Sequence, residues 1–271
     1  MIGSRLAGIV IAAALSAPAR AEPAQGWRCA DAALITAVPA ADTVVFDIGD
    51  EAVLAGVILP RGPDPQGRGG EPFATEAQAA LSALARGQAA QACWSGPERR
   101  DRWGRQIAHV RLLTRDAYAQ DLLLSEGWAR VSPEQQDASR LDALLAAERS
   151  ARAARRGVWR SAYYAVRPAE AAGPWAGRFQ IIEGVVVDVA EVRSRLYLNF
   201  GADWRRDFTV TVPPRERKRF EAAGTDWFAL PGVRVRARGW VEDVNGPSLR
   251  VDHPGQLEID PPDPVFDASG G

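Results

Sequence analysis

Apolar and polar positions alternate with a short period through the first part of the chain. Ala33–Val38 and Thr43–Phe46 are apolar and rich in strand formers, with a Pro39-Ala-Ala-Asp42 turn between them, and Ile48-Gly-Asp50 leads into a third strand over Ala52–Leu59. The Gly- and Pro-rich stretch Pro60–Pro72 reads as a mobile loop. Thr75–Arg86 then takes up helical periodicity, with Thr75 as its expected N-cap. Strands follow near Gln91–Trp94 and over Gln106–Leu113. A helix over Ala117–Glu126 ends at Gly127, and a longer one over Glu134–Arg156 stops at Gly157. Strands, a helix, two more strands and then helices make an α+β pattern, and five strands in that arrangement suit a small OB-type barrel.

The pattern changes after an Ala/Pro/Gly-rich linker, Ala165–Pro174. From residue 175 to 260 the chain reads as a second, all-β, OB-like domain. Its strands are expected at Ile181–Val189, Arg195–Phe200, Asp207–Val212, Val233–Val241 and Ser248–Asp252, with a short helix near Arg215–Ala222 and an Asn245-Gly246 hairpin. Residues 261–271 are Pro, Asp and Gly-rich and read as a disordered tail. In Val233-Arg-Val-Arg-Ala-Arg238 the alternation sends Val233, Val235 and Ala237 to the core and puts Arg234, Arg236 and Arg238 together on the other face. That face is either a solvated sheet surface or a track for a polyanion.

The N-terminus has a targeting pattern: Arg5, an apolar run Leu6–Leu15, and Ala19-Arg-Ala21 as a small-residue cleavage site. The run is too short to span a bilayer, which takes about 20 residues. The chain is therefore expected to be exported to the periplasm or secreted, without a membrane anchor. Cleavage after Ala21 removes two arginines and moves the formal charge from -1 to about -3, which argues against gripping polyanions by bulk charge. The two cysteines, Cys29 and Cys93, favour one disulfide in an oxidising compartment, with two buried thiols as the alternative.

Asp101-Arg-Trp-Gly-Arg105 followed by Ile107-Ala-His-Val110 resembles the D-x-Y-G-R-x-(L/I)-A-x-V segment of the thermonuclease family. Asp121–Val131 is similar to that family's L-(V/L)-x-x-G-x-A-x-V helix end, and Ala147–Trp159 to its last helix. Upstream, Ala41–Val44 and Leu54–Val57 correspond to its G-D-T-(V/I) and L-x-G-I segments. The ordered set covers about residues 30–165. The resemblance implies an OB-type barrel with packed helices, in which the first and fourth strands are neighbours, so a Cys29–Cys93 disulfide becomes sensible.

Thermonuclease-like enzymes hydrolyse phosphodiesters with calcium, a carboxylate near the attacking water and two arginines. Carried over by position, Asp42 matches the first calcium aspartate and Arg105 a phosphate-clamping arginine. The other arginine is replaced by Val53, the second calcium aspartate by Ile58 and the catalytic glutamate by Arg61. One carboxylate beside an isoleucine does not make a calcium site, which takes roughly six to eight oxygens. A guanidinium cannot serve as a base. No cofactor is therefore expected, and Ca2+ enters only if Asp64 or Glu71 from the adjacent loop rebuilds the site. Asp42 and Arg105 persist either as a phosphate-binding remnant or as a surface ion pair and turn residue.

Three functional readings follow. The first is an inactive or severely impaired thermonuclease-like module that binds nucleic acid, another anionic ligand or a protein partner. The second is an active nuclease with a rebuilt site, and the third an assembly scaffold. Arg215, Arg217, Lys218 and Arg219 read as a basic helix surface. Trp204, Trp227 and Trp240 are either base-stacking or core residues. His109 and His253 read as structural, without a nucleophile motif nearby.

Overall fold

In the computed structural model the chain is described over residues 26–64, 66–133 and 140–262. The expected leader, the start of the last helix of the first domain and the tail from residue 263 lie outside these. The first sheet is built from β1 (Trp27–Cys29), β2 (Ala33–Ala40), β3 (Thr43–Phe46), β4 (Glu51–Leu54), β6 (Ala89–Ser95), β7 (Gln106–Leu112) and β8 (Ala117–Tyr118). A short β5 (Val57–Ile58) pairs separately with β9 (Arg130–Val131). β2 bends so that Ala33 and Leu34 pair with β6 while the rest pairs with β3. β3 continues to β4, β4 runs parallel to β7, and β7 returns to β6. That ring is closed, which removes the exposed edges an open sheet would present.

Helices α1 (Ala74–Ala85), α2 (Ala119–Ser125) and α3 (Leu141–Ala153) pack on the ring. α1 buries Ala77, Leu81, Leu84 and Ala85, the spacing of one helical face. Its N-cap is Phe73 in a left-handed conformation, so the expected Thr75 cap is corrected by two residues. Gly127 and Gly157 end the segments after α2 and α3 back to back. A Cβ on Gly127 would lie 2.4 Å from the carbonyl oxygen of Arg156, and one on Gly157 would lie 2.3 Å from that of Gly127. The Cys29–Cys93 disulfide forms between directly opposed residues of β1 and β6.

The second region repeats the same connectivity. β11 (Phe179–Val185) and β12 (Asp188–Val192) are two arms of one bent strand. They are followed by β13 (Arg195–Asn199), β14 (Thr209–Val212), helix α4 (Pro214–Ala222), β15 (Arg234–Asp243) and β16 (Pro247–Arg250). β12 pairs with β13, β13 with β14, β14 parallel with β16, β16 with β15, and β15 back to β11. Val235, Ala237, Val241, Leu249, Phe208 and Trp227 fill its core. The expected linker is not a free tether. Within it, β10 (Arg167–Pro168) runs parallel to β11, Ala169 and Ala172 belong to the second core, and Arg167 stacks on Trp175 at 3.4 Å.

The two barrels share an apolar cluster. Ile58, Ala151, Val158, Trp159 and Tyr164 from the first side meet Val166, Phe179 and Ile181 from the second. Beside it lies a buried ionic network. Arg238 is 1 % exposed and reaches Glu148 of α3 at 2.9 Å, and it also pairs with Glu258 of β17 (Leu257–Ile259). Arg236 is fully buried and bonds Glu183 of β11 at 2.6 Å, while Glu258 Oε2 lies 3.6 Å from Arg236 and 3.7 Å from Arg149. Glu148 is itself fully buried and accepts from the backbone N–H of Val131 at 2.6 Å. Burial opposes ionisation of Glu258, but the neighbouring arginines win and hold its pKa below the ordinary value. Burial likewise opposes the charge on Arg238, yet Glu148 and Glu258 raise its pKa. The expectation of a solvated, polyanion-tracking arginine face is thus corrected. Arg238 reaches the first barrel, Arg236 is buried between Glu183 and Glu258 of the second, and Arg234 remains well exposed.

Replacing both Cys29 and Cys93 with serine is expected to cost about 4 kcal/mol, because the bridge closes a long loop of the unfolded chain. Urea unfolding of the oxidised and serine forms measures it. Arg238→Ala removes the shared arginine partner of Glu148 and Glu258, leaving them the weaker contacts with Arg152, Arg236 and Arg149, and is expected to cost about 3 kcal/mol. Arg234→Ala is expected to stay within about 0.5 kcal/mol by the same measurement.

Candidate functional site

Asp42 and Arg105 meet on one side of the first barrel. Asp42 ends the turn between β2 and β3, and Arg105 ends the turn before β7. The Asp101 carboxylate organises that second turn. It accepts from the backbone N–H of Trp103 at 2.9 Å and of Arg105 at 3.0 Å, and from Arg105 Nε at 2.7 Å. Gly104 takes a φ of 82°, which the turn requires. Burial would raise the Asp101 pKa, but these bonds from Arg105 and Trp103 outweigh it and keep the carboxyl below its usual range.

Asp42 and Arg105 do come together, though not as an ion pair. Arg105 Nη1 donates to the Thr43 hydroxyl at 3.2 Å, and that hydroxyl donates to Asp42 at 2.9 Å. The direct partner of Arg105 is Asp101. The surface ion-pair reading of Asp42 and Arg105 is therefore corrected to a three-residue relay through Thr43.

A pocket of about 200 Å³ lies over this relay. Asp42, Asp101, Arg61 and Arg105 supply its charged groups, Val53, Ile58 and Ile107 line it with apolar surface, and Trp103 and Trp240 add aromatic rings. It adjoins a larger groove of about 950 Å³ that runs past Pro39–Asp42, Arg61–Pro63 and Arg102 to Gln78 on α1. Arg102 and Arg105 both lie against the exposed ring of Trp103, at 4.0 and 5.0 Å. Arg61 lies 4.7 Å over the ring of Trp240, a residue of the second barrel.

The chemistry of this donor set does not fit calcium. Ile58 points into the apolar cluster between the barrels, Val53 is buried, and Asp101 is committed to Arg105. Among the described residues no group of three His, Cys, Asp or Glu gathers to hold a metal ion. The two loop carboxylates are also engaged elsewhere. Asp64 accepts from the backbone N–H of Gln66 and Arg68 and pairs with the Arg68 guanidinium. Glu71 accepts from the Arg61 backbone at 2.9 Å and from Tyr163 at 3.4 Å. The loop expected to be mobile is instead tied at both ends, since Arg61 and Glu71 also bond through their backbones.

The remaining candidates are structural. His109 is 2 % exposed and packs against Trp27 and Tyr118, and both of its ring nitrogens lack hydrogen-bond partners. Burial, reinforced by the charge of Arg140, lowers its pKa to about 3. His253 caps a short turn through Gly255. Arg217 pairs with Glu191 and Glu221, and Arg215 and Arg219 with Glu216, so much of the basic cluster on α4 is compensated. Trp227 is buried in the second core, whereas Trp204 is 48 % exposed. Sequence reasoning missed Trp240 as a wall of the pocket. The signal was present, because Trp240 continues the alternation of Arg234, Arg236 and Arg238 on one face of β15.

Fold and pocket together define an OB-type barrel with a cleft lined by arginine, aspartate, tryptophan and aliphatic side chains. Residues 51–161 match the family model described as staphylococcal nuclease homologue, so the chain contains a staphylococcal-nuclease-like domain. Strands β1 to β3 precede the matched segment but complete the same barrel. No curated protein matches the chain.

His109 sets a pH dependence. An unfolded histidine takes a proton near pH 6.5, and the folded one resists until about 3, so this contribution is full above pH 6.5 and falls as pH drops between the two values. Unfolding free energies from urea titrations should fall by as much as about 1.4 kcal/mol per pH unit between about pH 6 and pH 4 from this group. His109→Phe should flatten that part of the slope.

Proposed function

We propose that this protein is an exported, catalytically impaired relative of the thermonucleases that uses its cleft to bind a phosphate-bearing polyanion, with nucleic acid as the leading ligand. The observation that carries this reading is the composition of the groove. Arg61, Arg102 and Arg105 line it beside an exposed Trp103, while the positions for metal and base hold Ile58 and Arg61. Guanidinium groups match phosphate oxygens in planar, bidentate fashion, and three of them in one groove concentrate positive potential despite the slightly acidic chain. Hydrolysis needs more: an activated water and stabilisation of the charge that develops on the phosphorane. Without metal or base, Arg105 alone supplies a small part of that stabilisation. The rebuilt-nuclease alternative draws no support from Asp64 and Glu71, whose carboxylates are occupied in holding the loop. No helix among the described residues is long and apolar enough to cross a membrane.

The test pairs cleavage with binding. Incubation of DNA and RNA with the protein, in calcium and in chelator, is expected to give no turnover in either. Oligonucleotide binding is expected to weaken steeply with salt. Arg105→Ala and Arg102→Ala should each lower affinity and reduce the salt slope by about 1. Calcium-dependent turnover abolished by Arg105→Ala would overturn the impaired-catalysis reading, and salt-independent or absent binding would overturn the polyanion reading.

A further inference from the structure

The geometry points to the second barrel as part of the ligand site, with Trp240 as a base-stacking residue that makes the cleft selective for single-stranded over double-stranded nucleic acid. This rests on the polyanion reading of the same cleft. Trp240 lies on β15 two residues beyond Arg238, on the same face of the strand. The buried bonds of Arg238 to Glu148 hold that face against α3. They thereby deliver Trp240 to the edge of the first barrel's pocket, where it stands with Trp103, Arg61 and Arg105. Phe179 supports the indole edge-on, at 6.1 Å between centroids and 80° between planes. A ring braced in this way loses little freedom when a second flat group lies on it.

The group now lying on Trp240 is the Arg61 guanidinium, and Arg61 itself is exposed at the rim. A nucleobase presents the same kind of flat surface and can take that place, freeing the guanidinium to meet the adjoining phosphate. The floor favours this use of the pocket. Val53, Ile58 and Ile107 offer no ligand to a hydrated ion but accept the face or edge of a base. A volume of about 200 Å³ admits one base and excludes a duplex, whose bases are already stacked and paired. With Trp103 on one wall and Trp240 on the other, single-strand binding draws on both barrels, and Arg238 acts only as a positioning residue for Trp240.

The experiment is fluorescence anisotropy with a labelled oligothymidylate and a duplex of equal length, using the full chain. Wild type is expected to bind the single strand at least about ten-fold more tightly than the duplex. Trp240→Ala should weaken single-strand binding about ten-fold with little effect on the duplex, and Trp240→Phe should recover most of the loss. Trp204→Ala, at an exposed tryptophan outside the pocket, should change neither. Melting curves report whether each variant is folded, and the ratio of single-strand to duplex affinity is a readout that general destabilisation would not shift selectively. If Trp240→Ala keeps wild-type affinity for the single strand while Arg105→Ala weakens it, the inference about the second barrel is overturned and the polyanion reading stands. If wild type binds neither strand form, the polyanion reading itself falls.

Discussion

The arrangement of this molecule depends on one buried ionic contact, between Arg238 on the second barrel and Glu148 on helix α3 of the first. Both side chains are almost completely withdrawn from water, and each is bonded a second time, Arg238 to Glu258 and Glu148 to the backbone N–H of Val131. Desolvating two charges is expensive, and the cost is offset only when geometry and further hydrogen bonds satisfy both partners. That requirement sets the relation of the barrels far more narrowly than apolar packing alone. Arg130 adds to it from the first side, donating to the carbonyl of Phe179 from between the rings of Tyr164 and Phe179. Burial depresses the Arg130 pKa, but the guanidinium keeps aromatic faces on both sides.

Two residues at the cleft also take part in this docking. Ile58 stands where the family resemblance places a calcium aspartate, and here it packs with Phe179 and Ile181 of the second barrel. A carboxylate at that position would be carried into an apolar junction with no metal to compensate it. Arg61 stands where a base would be, and it lies on Trp240. The cleft and the interface are thus one physical region. Ile58 and Arg61 there serve packing and cation–π contact with the second barrel docked beside them.

Much of the fold was legible in the chain. Period-two alternation and turn residues marked most strands of both barrels, and Gly127 follows the end of α2 as expected, whereas α3 stops at Ala153, short of the expected Arg156, and Gly157 opens a separate turn. The ordered motifs around Asp101–Arg105 and Ala147–Trp159 fall within the segment that matches the staphylococcal nuclease homologue family model. The errors have physical causes. Thr75 is a good capping residue, but α1 starts at Ala74 because Phe73 turns the chain in a left-handed conformation. The Ala/Pro/Gly stretch at 165–174 has linker composition, yet its alanines fit the second core and its Arg167 finds Trp175. The loop after Pro60 has flexible composition, but the Glu71 carboxylate returns to the Arg61 backbone and closes it.

By itself, the sequence determined the local geometry: which residues alternate, where turns fall, and which side chains stand at Asp42, Val53, Ile58, Arg61 and Arg105. Those are properties of neighbouring residues, set by backbone sterics and side-chain period. Only the tertiary structure decided that the arginine face of β15 looks inward, that Arg105 reaches Asp42 through Thr43, and that Trp240 walls the cleft of the other barrel. An arginine pattern is the same whether water or a buried glutamate faces it. The choice between them is made by a partner some 90 residues away in the chain, through an electrostatic and desolvation balance that exists only after both barrels have folded.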